Sequence, residues 1–386
     1  MLVTVADTMG AIGVIRSLGR AGYPVHSCSS KPQALGLSSK FTDVATVCPD
    51  IKGDGFVPWL RSYVENNKIT AIIPSESVLL SIQNVFDEFS PLLPMSSSAD
   101  VVYSGMSKFD LFKFLLSDDS LKSALPPTVL VHDTKSLPSE EELEKLGKPF
   151  FIKADGLYST NASSGSTFKA KDTQSCIEKM KSYASNFSRL IVQGTVPGQG
   201  VGAFFCIWNG KVVAEFMHRR LHEVPHTGGA SSFRESWRHE AIRDHALRVL
   251  QGIRWQGVAM MEYRWDPETD KCWLIEMNGR FWGSLHLMLY AGVDFPRLLL
   301  DSFHGHDTGT APKYPLNVRC RHTFPSEVHY VWSCLKDRSL GVRRFWKIVE
   351  FFLLMAKPTV YSDLCFPGDR ALYWYSFKDF LRTFRD

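Results

Sequence analysis

Short apolar runs alternate with amphipathic stretches through the first hundred residues. Leu2–Ala6, Val25–Ser29, Val44–Cys48 and Ala71–Pro74 read as buried strands, with helices over Gly10–Gly19 and Phe56–Asn66 between them. Strands alternating with helices at this spacing predict βαβ units and a parallel sheet. Gly10-Ala11-Ile12-Gly13 falls where a phosphate-binding turn would lie. The full Gly-x-Gly-x-x-Gly is absent, however, and no acidic residue ends the second strand, so a structural βα turn is favoured over a dinucleotide site.

The pattern changes further along. Asp110–Leu116 and Ser139–Leu146 read as helices, and Phe150–Lys153 as a strand ending on a lysine. Ala154–Ser166 is rich in Gly, Ser, Thr and Asn, a loop whose backbone can approach a ligand closely. A helix over Cys176–Asn186 precedes the strand Leu190–Gln193. Phe204–Trp208 and Lys211–Phe216 flank Asn209-Gly210, a two-residue hairpin signal. After a helix over Glu240–Leu250, Val258–Tyr263 and Cys272–Met277 form a second strand pair around Asp266–Asp270.

Composition narrows the class. The chain is 44% apolar and 12% aromatic with 44 basic against 40 acidic side chains, which excludes extensive disorder. Eight widely spaced cysteines read as reduced thiols of a cytoplasmic protein rather than a disulfide framework. No transmembrane segment and no leader are expected, since Asp7 interrupts the first apolar run. Net charge gives no case for nucleic acid. Residues 311–386 nevertheless hold 13 Lys/Arg against 7 Asp/Glu, a basic region that suits an anionic partner or surface.

The chemistry concentrates in Trp273-Leu274-Ile275-Glu276-Met277-Asn278-Gly279-Arg280. On a strand, Glu276 and Asn278 point to one face, and a carboxylate with an amide oxygen suits magnesium that also bridges phosphates. Glu262, on the preceding antiparallel strand, can supply a second carboxylate. Arg280 can reach a transferring phosphoryl group over the same face. His218, His222 and His226 recur every four residues, the spacing of a metal-binding helical face, but Pro225 and the incoming strand pattern argue against that reading.

With these residues, roughly residues 1–300 resemble the ATP-grasp superfamily, whose ligases activate a carboxylate as an acyl phosphate. The likeness is most specific at Glu262…Glu276-x-Asn278-x-Arg280. It extends to Arg219-Arg220…Pro225…Gly228-Gly229, a pattern shared with the carboxylate–amine ligases that include D-aspartate ligase; the grasp module is also similar to that of carbamoyl-phosphate synthase. The resemblance implies an N-terminal Rossmann-like (pre-ATP-grasp) α/β domain over 1–105 and a two-subdomain α+β ATP-grasp module over 106–305. Within it the mobile lid spans about 128–193, and a small C-terminal accessory region covers 306–386. It implies ATP and Mg2+ (or Mn2+) as cofactors, with Glu262, Glu276 and Asn278 as metal ligands. Lys108 and Lys153 would bind nucleotide phosphates, and Ser163, Ser164 and Gly165 would form the lid loop. Gln193, Gly194, Thr195 and Val196 would meet adenine, and Arg280, Arg219 and Arg220 would serve catalysis. Two differences stand out: Gln193 replaces the usual acidic adenine contact, and Gln199-Gly200-Val201 offers no carboxylate for ribose.

The expected activity is therefore ATP-dependent coupling of a carboxylate to an amine (or thiol), with release of ADP and phosphate. Partners would be small-molecule acids and amines, such as amino acids or an envelope precursor; a homo-oligomer is compatible with the sequence. A bicarbonate-activating carboxylase or carbamoyl-phosphate-type enzyme, and a nucleotide-binding regulator without turnover, are the competing readings. The apolar positions of Phe345–Ala356 read first as a domain or dimer contact. Behind the cations of Arg338–Arg344 they also fit an interfacial helix near anionic lipid.

Overall fold

A computed structural model describes residues 1–160 and 165–382. Its first sheet runs Val44–Val47, His26–Ser29, Leu2–Val3, Ile72–Ile73, all parallel, as the alternating pattern predicts. The helix Met9–Arg20 is capped by Thr8, whose hydroxyl accepts from the Ala11 amide at 3.3 Å. Gly10 and Gly13 lie inside this helix rather than forming a turn. A Cβ on Gly10 would stand 3.1 Å from the Trp282 carbonyl oxygen, and one on Gly13 2.8 Å from the Leu285 side chain. Their smallness lets the first helix press against the segment that follows the metal-type motif.

The second sheet is antiparallel, in the order Thr128–Val131, Leu190–Gly194, Phe150–Ala154, Ser166–Ala170. The helices Glu140–Glu144 and Thr173–Tyr183 begin with capping boxes at Ser139 and Asp172. One face of the sheet packs Phe150, Ile152 and Val192 against Leu143, Cys176 and Met180. Strand alternation turns Phe151, Lys153 and Gln193 to the other face, which lines a cleft.

The third sheet has seven strands: Cys272–Asn278, Gly257–Trp265, Gln199–Trp208, Lys211–Val224, Ala230–Ser236, Arg319–Arg321 and Val360–Ser362. The turn at Asn209-Gly210 has φ of 49° and 74°, the left-handed pair that a two-residue hairpin requires. Lys211–Val224 runs well past the expected end at Phe216, because Ala230–Ser236 continues to pair with it. Residues beyond 306 contribute the last two strands of this sheet. The buried Arg16 ties the first helix to the same region, donating to Asp369 Oδ2 at 2.9 Å and to the Asp363 carbonyl oxygen at 2.7 Å. No helix of the described residues is long and apolar enough to cross a membrane.

Candidate active site

The four-stranded antiparallel sheet and the seven-stranded sheet face each other across a cleft of about 790 Å³, lined by Lys153, Gln193, Gly194, Thr195, Val196, Arg220, Glu262, Glu276, Asn278 and Arg280. A second hollow of about 900 Å³ adjoins it at Arg280 and Thr167 and opens toward the ends of the N-terminal strands. Lys108 and Gly165 line that hollow together with Thr8 and Ser75. Ten of the expected site residues thus share one cleft, and two more line its neighbour. Ser163 and Ser164 lie outside the described residues.

Register brings the acidic groups together. Glu262 pairs directly with Glu276, and Met260 with Asn278, across the antiparallel hairpin. The Asn278 amide nitrogen sits 3.2 Å from Glu262 Oε1 and 3.2 Å from Glu276 Oε1, while its oxygen accepts from Arg280 at 3.3 Å. Lys108 Nζ lies 3.3 Å from Glu276 Oε2, and Arg220 is paired with Glu262. Burial works to raise the Glu276 carboxyl, but Lys108 and Lys153 outweigh it and hold the group down to about 2. Burial and the neighbouring Glu276 raise Glu262 despite Arg220. Two carboxylates of unlike basicity share one amide. Among the described residues no group of three His, Cys, Asp or Glu side chains converges. The two carboxylates fit a hard divalent cation whose remaining ligands are phosphate oxygens and water, as magnesium prefers, and the Asn278 oxygen would join them once its amide turns over from Arg280.

Lys153 is contributed by the four-stranded antiparallel sheet. Burial lowers it to about 8, and its ammonium donates to the Ile275 carbonyl oxygen at 2.8 Å. Lys108 opens the helix Lys108–Leu116 behind its cap Ser107. The Ser107 hydroxyl donates to Asp155 Oδ2 at 2.7 Å, just past the end of the Lys153 strand. The two lysines are therefore positioned through one carboxylate. Gln193 is buried and donates to the Thr128 hydroxyl at 3.1 Å, so its amide carbonyl oxygen is left as the acceptor.

Arg219 and Arg220 separate. They are neighbours on one strand and so point to opposite faces. Arg220 enters the cleft, whereas Arg219 pairs with Glu235 on the other side, at 2.5 Å. The three histidines diverge as well, because His218 and His222 lie on a bulged strand and His226 in the turn beyond it, and no helix carries them. His218 is wholly buried beside Phe204 at the cleft; His222 bonds Glu327 and stacks on Tyr330; His226 bonds Ser333 and Asp337.

Glu223 is a cleft residue that the sequence reading missed. It accepts from Arg220 at 3.4 Å and from Arg264 at 3.2 Å. A Cβ on Gly200 would collide with it, so it occupies the position where the Gln199-Gly200-Val201 segment offers no acid. The signal was its place inside the Arg-Arg…Pro…Gly-Gly pattern, obscured by a strand expected to end too early.

No protein-family model matches this chain, and no curated protein matches its sequence. Solved structures do share its fold. Biotin carboxylase of Campylobacter jejuni, in a β,γ-ATP complex, is similar at TM-score 0.63 and 15% identity, over 82% of this chain and 74% of that one. N5-carboxyaminoimidazole synthetase of Staphylococcus aureus is similar at 0.62 and 12%, over 81% and 79%. L-amino acid ligase of Bacillus licheniformis is similar at 0.57 and 12%, over 78% and 73%. The chain has the ATP-grasp fold. Its neighbours in that fold are carboxylate–amine ligases and their carboxylating relatives.

Proposed function

We propose that this protein is an ATP-dependent ligase that phosphorylates a carboxylate and couples the acyl group to an amine, releasing ADP and phosphate. The observation that carries this reading is the convergence of Glu262, Glu276 and Asn278 beneath Lys153, with Lys108 and Arg280 at the edge of the same group.

A carboxylate resists amines because its oxide is a poor leaving group. Phosphorylation converts that oxide into phosphate, and the amine then displaces it. The triphosphate lies between the sheets with Lys108 and Lys153 against its charge. Glu262, Glu276 and Asn278 would hold magnesium, which would supply electrostatic relief to the phosphoryl oxygens. Arg280 reaches the junction of the two hollows and steadies the transferring group. Arg220 faces the acyl phosphate or the substrate carboxylate. The Gln193–Val196 segment meets the base, and Glu223 is the acid placed to hold the ribose hydroxyls. The lid excludes water from the mixed anhydride. The substrate acid enters from the hollow lined by Thr8, Ser75 and Lys108.

The test is ADP release from the full chain with Mg2+-ATP and pooled amino acids as acids and amines, compared with Glu276→Ala. Release that needs both an acid and an amine and vanishes in the variant supports the ligase. Release driven by bicarbonate alone would transfer the reading to carboxylation, and nucleotide binding without turnover on any pool would make the chain a regulator.

A further inference from the structure

We propose that the C-terminal helices dock this protein onto an anionic lipid bilayer. Among the described residues, thirteen of the seventeen large hydrophobic side chains that stand exposed fall between Trp332 and Leu381, so the exposure is segregated rather than scattered. The helix Arg343–Ala356 lies at its centre and buries no residue. Its apolar face looks outward: Phe345 is 54% exposed, Trp346 63%, Phe352 62% and Leu353 60%. These positions recur at i, i+1, i+7 and i+8, one stripe of a helix.

The polar face of this helix looks inward. Lys347 pairs with Glu350 at 2.7 Å, Glu350 lies 3.7 Å from His222 Nε2, and Lys347 stands over the Tyr330 ring. A helix that turns Lys347 and Glu350 to the protein, and Phe345, Trp346 and Phe352 to solvent, is arranged for an apolar medium with its exposed cation Arg343 at one end. The helices Val328–Lys336 and Ala371–Arg382 add Trp332, Trp374 and Tyr375 to the exposed set. Phe324 joins two of these helices, its ring lying 6.3 Å from Phe351 of Arg343–Ala356 and 4.9 Å from Phe377 of Ala371–Arg382. Trp and Tyr are the residues that settle at the level of lipid headgroups.

Charge decides between a bilayer and a second copy of the chain. Asp337, Glu350, Asp363 and Asp369 are each paired, with His226, Lys347, Arg234 and Arg16, which leaves Asp379, beside Lys378, as the exposed acid of these helices without an ion pair among the described residues. Arg338, Arg343, Lys357 and Lys378 are exposed and make no ion pair among the described residues. A two-fold contact through this face would set those cations against themselves. Anionic headgroups would neutralise them while the apolar stripe enters the acyl boundary. At fourteen residues the helix lies along the surface and does not span it.

The experiment is co-sedimentation of the full chain with phosphatidylcholine vesicles, with and without phosphatidylglycerol, alongside tryptophan fluorescence with brominated lipid. We expect binding only to the anionic vesicles, weakened by salt, with tryptophan emission shifted to the blue and quenched by bromine. Phe352→Asp/Leu353→Asp, at outward positions, abolishes binding with an unchanged circular dichroism spectrum. Arg338→Glu/Arg343→Glu weakens binding roughly tenfold or more. The proposal is overturned if the wild-type chain ignores anionic vesicles or leaves its tryptophans unquenched. It is equally overturned if ultracentrifugation shows a dimer that Phe352→Asp/Leu353→Asp splits into monomers.

Discussion

Lys153 Nζ donates to the carbonyl oxygen of Ile275 at 2.8 Å, joining the four-stranded antiparallel sheet to the strand that carries Glu276. The bond holds that lysine over the acidic group. Lys153→Met is expected to weaken Mg2+-ATP-analogue binding about tenfold to a hundredfold, the scale of a lost charge-assisted hydrogen bond. Calorimetric titration measures it, and an affinity within twofold of wild type would remove Lys153 from the phosphate site.

Glu276 is held ionised by two lysines, so its removal takes away a proposed metal ligand and leaves Lys108 and Lys153 facing each other. Glu276→Ala should lower ADP release by about a hundredfold or more, in line with the loss of one transition-state electrostatic contact. Glu276→Asp should recover part of it if coordination is the role. A steady-state ADP assay across a magnesium series reads both.

Arg219 and Arg220 provide an internal control. Arg220 and Glu262 are paired inside the cleft, so Arg220→Met strands a buried carboxylate and should cost about 3–5 kcal/mol of stability. Arg219 is a third exposed, and its partner Glu235 retains Arg319 at 2.8 Å. Arg219→Ala should cost within about 1 kcal/mol and leave ADP release intact. Denaturant titration of both variants decides it; equal costs would mean that the two faces of the strand do not differ in this way.

His222 gives a pH signature. Burial lowers it, but Glu327 and Glu350 more than compensate, so the folded protein holds its proton above the ordinary value. Glu350, held down to about 2 mainly by His222, stays ionised throughout the neutral range. A histidine raised on folding contributes stability that is complete below its unfolded value of about 6.5 and is lost as pH rises through the folded value. His222→Gln should therefore depress the melting temperature more at pH 6 than at pH 9. Loss of stacking on Tyr330 acts equally at both, so a pH-independent difference would assign the whole effect to packing.

Local pattern made much of this molecule legible. Asn209-Gly210 announces its hairpin, and Glu276-x-Asn278 announces its shared face, because turn chemistry and strand alternation act within a few residues. Where the outcome depended on distant partners, sequence was silent. Lys211–Val224 extends because Ala230–Ser236 supports it, and that extension is what parts Arg219 from Arg220 and admits Glu223 to the cleft. The helix over Gly10–Gly19 was legible, but the tight contacts of Gly10 and Gly13 were not, because nothing nearby shows that Trp282 and Leu285 will press on them. Arg16 sits in an apolar helix with no local hint of Asp369, whose carboxylate makes its burial tolerable.

That last contact makes two distant stretches of the chain interdependent. Arg16 and Asp369 are 353 positions apart, yet the guanidinium is sealed only because the carboxylate meets it. Take away the segment around Asp363 and Asp369, and the first helix is left with a cation in an apolar setting and no counter-charge.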